Sequence, residues 1–304
     1  MIPKDLLKAL RQIEIVTSRL ATNMLAGTYT SVFRGQGIVF REVRPYQPGD
    51  DVRQIDWNVS ARTGETYVKL FTEEREMTVM LVVDVSASTH FGTVKATKGR
   101  IAAEVGALLA FSAIRGGDRV GLVMASDRVE RIVPPRKGEK HVLRVTREVL
   151  GSQGSEHEGR GTDLAQALET LTRLSKRRSV AFLLSDFFTD DGEARVRFER
   201  TLALAAAKHD VVAIEIVDPR DDVLPDLGLA MLEDFETGED ALVDTSSARV
   251  RAAFEANARR RREATRSTFR RLGIDHVLVR TDGSYILPIR DLFARRARRA
   301  RSGR

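Results

Sequence analysis

Met77-Thr78-Val79-Met80-Leu81-Val82-Val83-Asp84-Val85-Ser86-Ala87-Ser88 is the stretch on which the fold turns. Its first part, Met77 to Val83, is apolar almost throughout, which predicts a strand buried on both faces, as in a parallel sheet. A carboxylate and two hydroxyls follow at once. Downstream, from about Lys95 to Arg115, Ile101, Val105, Leu108, Leu109 and Ser112 keep helical spacing among alanines and glycines until Gly116 and Gly117 end the run. That helix has so little polar surface that it is predicted to be buried nearly all round.

The alternation continues to the C-terminus. A strand over Arg119–Ser126 leads to a partner strand at Val129–Val133, closed by Pro134 and Pro135, and then to a helix at Glu139–Leu150. After the glycine-rich stretch Gly151–Gly161 come a helix marked by Leu164, Leu168 and Leu171, a strand at Val180–Leu184, a helix at Glu193–Lys208 and a strand at Val211–Val217. Residues 218–245 break the rhythm and predict a hairpin, Leu229–Leu232 with Ala241–Val243, inserted at one sheet edge with its turn near Gly238. A helix over Ser246–Leu272, a strand over Ile274–Arg280 and a last helix from about Leu287 complete a doubly wound, mostly parallel α/β unit over 77–294. Residues 1–76 differ in kind: an amphipathic helix near Leu6–Leu25, then short strand-like pieces broken by Gly35, Gly37, Pro45, Pro48 and Gly49, which predict a small N-terminal helix/strand lobe.

Composition narrows the chemistry. With no cysteine among 304 residues, disulfides, thiolate metal sites and cysteine nucleophiles are excluded. No run of apolar residues reaches the length of a membrane span and no leader pattern opens the chain, so a cytoplasmic protein is expected. Of the formal net charge of +7, six come from the arginines of 295–304, expected to be a disordered basic tail, so the body is nearly neutral. A second cluster, Arg259–Arg262 with Arg266, Arg270 and Arg271, falls on a helix and lacks the aromatic interleaving that stacks bases. Two readings of these arginines stand: a solvated helix face with a frayed tail, or a nucleic-acid contact.

In open α/β sheets, ligands bind beyond the carboxyl ends of the strands. Asp84, Ser86 and Ser88 stand at alternate positions there, so that an extended loop would turn all three to one side. Thr162 precedes a helix and Asp186 follows the strand Ser179–Ser185. Hydroxyls and carboxylates from three loops form a hard-oxygen set suited to Mg²⁺, although each residue alone also reads as a helix cap. Asp163 reads as the start of its helix. No Gly-x-x-x-x-Gly-Lys-Ser/Thr phosphate loop and no Gly-x-Ser-x-Gly elbow is present, and the histidines lack zinc-ligand spacing.

The set Asp84, Ser86, Ser88, Thr162 and Asp186 resembles the metal-ion-dependent adhesion site of von Willebrand factor A domains. That resemblance implies Mg²⁺, or Mn²⁺, held by these five residues and completed by an acidic side chain of a protein partner. Upstream, Phe40-Arg41-Glu42-Val43-Arg44-Pro45-Tyr46-Gln47-Pro48-Gly49-Asp50-Asp51-Val52-Arg53-Gln54-Ile55-Asp56-Trp57, continuing through Ser60-Ala61-Arg62-Thr63-Gly64, is similar to the signature of the family called domain of unknown function 58. This likeness implies the family's short soluble form, a von Willebrand A-like domain, and an adaptor or co-chaperone role beside a MoxR-type AAA+ ATPase. From the residues themselves, the segment reads either as a brace, with Trp57 packing the lobe onto the main domain, or as a partner surface of Arg44, Asp50, Asp51, Arg53, Trp57 and Arg62. A non-catalytic interaction protein is expected; a Mg²⁺-dependent hydrolase using Asp84 and Asp186 is the rival.

Overall fold

The computed structural model describes residues 4–21, 37–74, 76–93, 96–152, 161–188, 192–233 and 240–302. In chain order its main elements are α1 (Lys4–Leu20), β1 (Gly37–Pro45), α2 (Trp57–Thr63), β2 (Tyr67–Glu74), β3 (Thr78–Asp84), α3 (Lys98–Arg115), β4 (Arg119–Ala125), β5 (Val129–Arg136), α4 (Glu139–Gly151), α5 (Leu164–Leu174), β6 (Val180–Ser185), α6 (Glu193–Lys208), β7 (Asp210–Val217), α7 (Pro219–Asp222), β8 (Leu229–Glu233), β9 (Asp240–Asp244), α8 (Ala248–Arg271), β10 (Asp275–Arg280) and α9 (Ile286–Ser302).

Six strands form one sheet in the order β10-β7-β6-β3-β4-β5, parallel except for β5, which runs antiparallel on the edge. The chain leaves β3 toward β4 on one side and later returns to place β6 on the other. Connections therefore diverge between β3 and β6, and a crevice opens there at the carboxyl ends. The strand that decided the fold is the central one: Val79 to Val83 are all buried, alternating between a core on the α3 side and one on the α5, α6 and α8 side. Each fully buried Leu or Phe in such a core contributes roughly 1.5–3 kcal/mol.

Helix α3 is buried nearly all round, as its sequence predicts, because β3, β4 and the neighbouring helices surround it. Strand β5, by contrast, continues through Pro134 and Pro135 instead of closing at Val133. An edge strand tolerates proline because one side of its ladder is unpaired. Strands β8 and β9 pair as the expected hairpin; its Gly238 turn lies outside the described residues, as do 153–160 of the glycine-rich stretch.

Two expectations fail. Residues 295–302 are not a disordered tail, since α9 runs to Ser302; Arg296 holds it down through Asp210 (2.8 Å) and Asp275 (2.6 Å), carboxylates at the starts of β7 and β10, and the last two residues of the expected tail lie outside the described residues. The N-terminal region is not one lobe either. Helix α1 packs on α3 and α4 and gives Ile13 and Ala21 to the main core, while β1, β2 and α2 form a separate hairpin assembly. The part of the first helix predicted beyond Ala21 lies outside the described residues.

Candidate functional site

Asp84 ends β3 with its carboxylate fully buried: Oδ1 accepts from Ser86 N at 2.9 Å and Oδ2 from Ser185 Oγ at 2.6 Å. The following residues do not stay extended. Ala87–His90 form a 3-10 turn, yet Ser86 Oγ and Ser88 Oγ still meet at 3.1 Å. Ser86 precedes this turn without capping it through its side chain, so the capping explanation fails for that hydroxyl.

From β6, Asp186 enters the same cluster, where the nearby Ser88 hydroxyl helps hold its carboxyl low and Phe188 N donates to Oδ1 at 3.1 Å. The intervening Phe187 adopts φ 54, a left-handed conformation uncommon for a residue with a Cβ, and its buried ring is anchored by Phe198 and Phe269. Packing of that ring holds the turn that aims Asp186 at Asp84.

Thr162 arrives from the third loop. Its neighbour Asp163 donates its backbone N–H to Ser126 O at 2.7 Å, just beyond β4, and caps α5 by accepting from Gln166 N at 3.2 Å. Asp163 therefore starts its helix, as the sequence suggests. Thr162 Oγ1, in contrast, is buried and has no hydrogen-bond partner among the described residues. An unsatisfied buried hydroxyl costs about 1–3 kcal/mol unless something supplies a partner.

Sequence reasoning missed Ser185, Asp221 and, most consequentially, Lys98. The Lys98 ammonium is buried at the start of α3, 2.9 Å from Asp186 Oδ2 and 2.9 Å from Asp221 Oδ2. A cation in a helix's first turn opposes the macrodipole, and that placement was the available signal. Electrostatics separate the two central carboxyls. Burial, reinforced by the Asp186 charge, pushes Asp84 up to about 6, despite hydrogen bonds from Ser185 and Ser86. Burial also acts upward on Asp186, but the Lys98 charge and hydrogen bond outweigh it, so Asp186 stays below the usual carboxylate range. Lys98 loses solvation too, yet its two carboxylates raise its pKa above that of an ordinary lysine.

The donor types are those a divalent cation takes. Asp84 and Asp186 retain unused lone pairs, Ser86 and Ser88 present hydroxyls, and Thr162 has an oxygen with no other partner. Among the described residues no three His, Cys, Asp or Glu side chains cluster as a metal group, and three of these five groups are hydroxyls.

The upstream signature residues mostly organise their own turns. Arg44 pairs with Asp50 at 2.6 Å, Gln47 N also donates to Asp50, Asp51 accepts from Arg53 N, and Arg62 Nε donates to Asn58 O. Asp56 caps α2. Trp57 does not pack the lobe onto the main domain: it is 70% exposed, because α2 turns it outward at the helix start. Among the helix arginines, Arg262 pairs with Glu215 and Asp222, Arg270 with Glu263 and Arg271 with Glu199, which spends charge a nucleic acid would need. No helix among the described residues is long and apolar enough to cross a membrane.

Uncharacterized proteins of Mycobacterium bovis and Mycobacterium tuberculosis are each 35% identical over 301 residues, covering 97% of this chain and 91% of theirs. Among solved structures, the conserved hypothetical protein BatB from Bacteroides thetaiotaomicron aligns over 73% of this chain and 99% of its own, at 16% identity and TM-score 0.43. A von Willebrand factor type A protein from Catenulispora acidiphila aligns over 50% of this chain and 35% of its own, at 16% identity and TM-score 0.36. The family described as protein of unknown function DUF58 matches residues 42–264, and the chain belongs to that family.

Proposed function

We propose that Asp84, Ser86, Ser88, Thr162 and Asp186 hold a divalent cation, Mg²⁺ or Mn²⁺, that receives an acidic side chain from a protein partner. The observation that carries this reading is the buried, unpartnered Thr162 hydroxyl, at the carboxyl-end rim that also bears two buried carboxylates. When bound, the cation supplies a Lewis-acidic point for a carboxylate. The chain's own groups fix its position, with Asp84 and Asp186 providing charge and the hydroxyls leaving most of that charge for the partner.

On this reading the protein is a non-catalytic adaptor or co-chaperone for a MoxR-type AAA+ ATPase, a role supported by the resemblance of residues 40–64 to the family signature. Exposed Trp57 and Val52 give the lobe an apolar surface for a second contact. The raised pKa of Asp84 favours the hydrolase alternative, because a carboxyl near 6 suits a general base. As a cation ligand, however, Asp84 would be held deprotonated and could not take up a proton.

Calorimetric titration of Mg²⁺ and Mn²⁺ into wild type and Asp84→Ala tests the cation, and capture of the ATPase with and without EDTA tests the partner. Heat that needs Asp84, with EDTA-sensitive capture, supports the adaptor. Absence of binding by either cation removes it, and turnover of a phosphate ester that disappears in Asp84→Asn would select the hydrolase.

A further inference from the structure

Beside the cluster lies a cavity of about 730 Å³, roofed by the β8–β9 hairpin and floored by α8. Interiors normally close such space, whereas ligand pockets run to roughly 300–1,000 Å³. Here the hairpin's inward face carries Leu232, Ala241 and Val243, side chains too short to span the gap to Phe254 and Ala258 of α8.

The charges around the cavity are unevenly spent. Lys98 is taken by Asp186 and Asp221, and Arg262 by Glu215 and Asp222. Arg195 pairs with Glu199 at 3.3 Å. Arg220 and Arg261 also line the cavity, are exposed, and have no carboxylate partner among the described residues; Arg261 lies 4.5 Å over the Phe188 ring. Apolar walls with two uncompensated guanidinium groups select a molecule that is hydrophobic along its body and negative at one end.

We propose that this cavity binds a small amphipathic anion, an acyl or aryl group ending in an acid, with the apolar part between Val243 and Phe254 and the acid group at Arg220 and Arg261. Ser88 and Asp186 of the proposed cation set border the same cavity, but the acid group is placed at Arg220 and Arg261, so the proposal does not require the cation.

The test is a fluorescence titration, in EDTA, with two probes: dansylated undecanoic acid and anilinonaphthalene sulfonate. Wild type should bind at least one saturably, with a blue-shifted emission and one probe per chain. Val243→Trp, which fills the cavity from the roof, and Ala258→Phe, which fills it from the floor, should each weaken binding by at least roughly tenfold; so should Arg220→Glu with Arg261→Glu. The methyl ester of the dansyl probe should bind more weakly by a similar factor. Circular dichroism identifies any variant that fails to fold, and two filling variants from opposite walls keep the test intact. Failure of both probes to bind wild type overturns the proposal. So does binding unchanged in both filling variants, which would place the probe on the exposed outer hairpin face of Leu229, Met231 and Leu242.

Discussion

The Lys98 ammonium lies 2.9 Å from Asp186 Oδ2, both side chains buried, and thereby neutralises one of the two carboxylates of the proposed cation site. Replacing Lys98 with Met leaves buried Asp186 and partly buried Asp221 without that counter-ion. The expected result is a loss on the order of 3 kcal/mol in urea unfolding with EDTA present. Mg²⁺ should restore more stability to this variant than to wild type, and an unchanged unfolding midpoint would show that the ion pair is not needed.

Asp84 gives a pH dependence whose sign is fixed. Its folded pKa, about 6, exceeds its ordinary value of 3.8, so the native state binds more protons between those limits and stability falls as pH rises through them. The loss is on the order of 3 kcal/mol at roughly 1.4 kcal/mol per pKa unit. Urea midpoints across this window in EDTA should fall for wild type and stay comparatively flat for Asp84→Asn.

Thr162 separates a ligand from a structural residue. Thr162→Val keeps the shape and removes a hydroxyl without a partner, so stability in EDTA should hold or rise by up to about 1 kcal/mol. Cation affinity, read by calorimetry, should fall by about tenfold or more. A variant that loses stability while keeping its affinity would identify Thr162 as part of the scaffold.

Arg296 ties α9 to the starts of β7 and β10 through Asp210 and Asp275 and is largely buried. Arg296→Ala should cost about 1–2 kcal/mol in denaturant unfolding, because Asp210, one-third exposed, loses its partner while Asp275 keeps Arg299. A change below about 0.5 kcal/mol would return the segment to the solvated tail its sequence suggested.

Trp57, exposed at the start of α2, should be dispensable for folding: Trp57→Ala is expected to move stability by less than about 0.5 kcal/mol. If the lobe contacts a partner, the same variant should weaken capture measured in parallel. A large destabilisation would restore the packing role.

Much of this was legible in the chain. The apolar run ending at Asp84 and the buried helix after it specify a parallel sheet, because only burial on both faces permits such sequences. Strand-end placement likewise brought Asp84 and Asp186 into view. Ser185 was not legible, since nothing local marks a hydroxyl that will be buried; for Lys98 the one local sign was its place in a helix's first turn, while its partners Asp186 and Asp221 lie far away in sequence. The arginines of 295–302 misled for a related reason: a basic run reads as solvated until its carboxylates, Asp210 and Asp275, are seen on neighbouring strands. Trp57 misled oppositely, as tryptophan usually seeks cover.

The proline pair of β5 has a consequence for assembly. Pro134 and Pro135 carry no backbone N–H, so the edge strand β5 offers an incoming strand an incomplete row of donors. Growth of the sheet by adding strands from another chain is thereby discouraged along that margin. On the proposed reading, recognition falls to side chains at the strand ends, which can engage one partner and release it without opening the ladder.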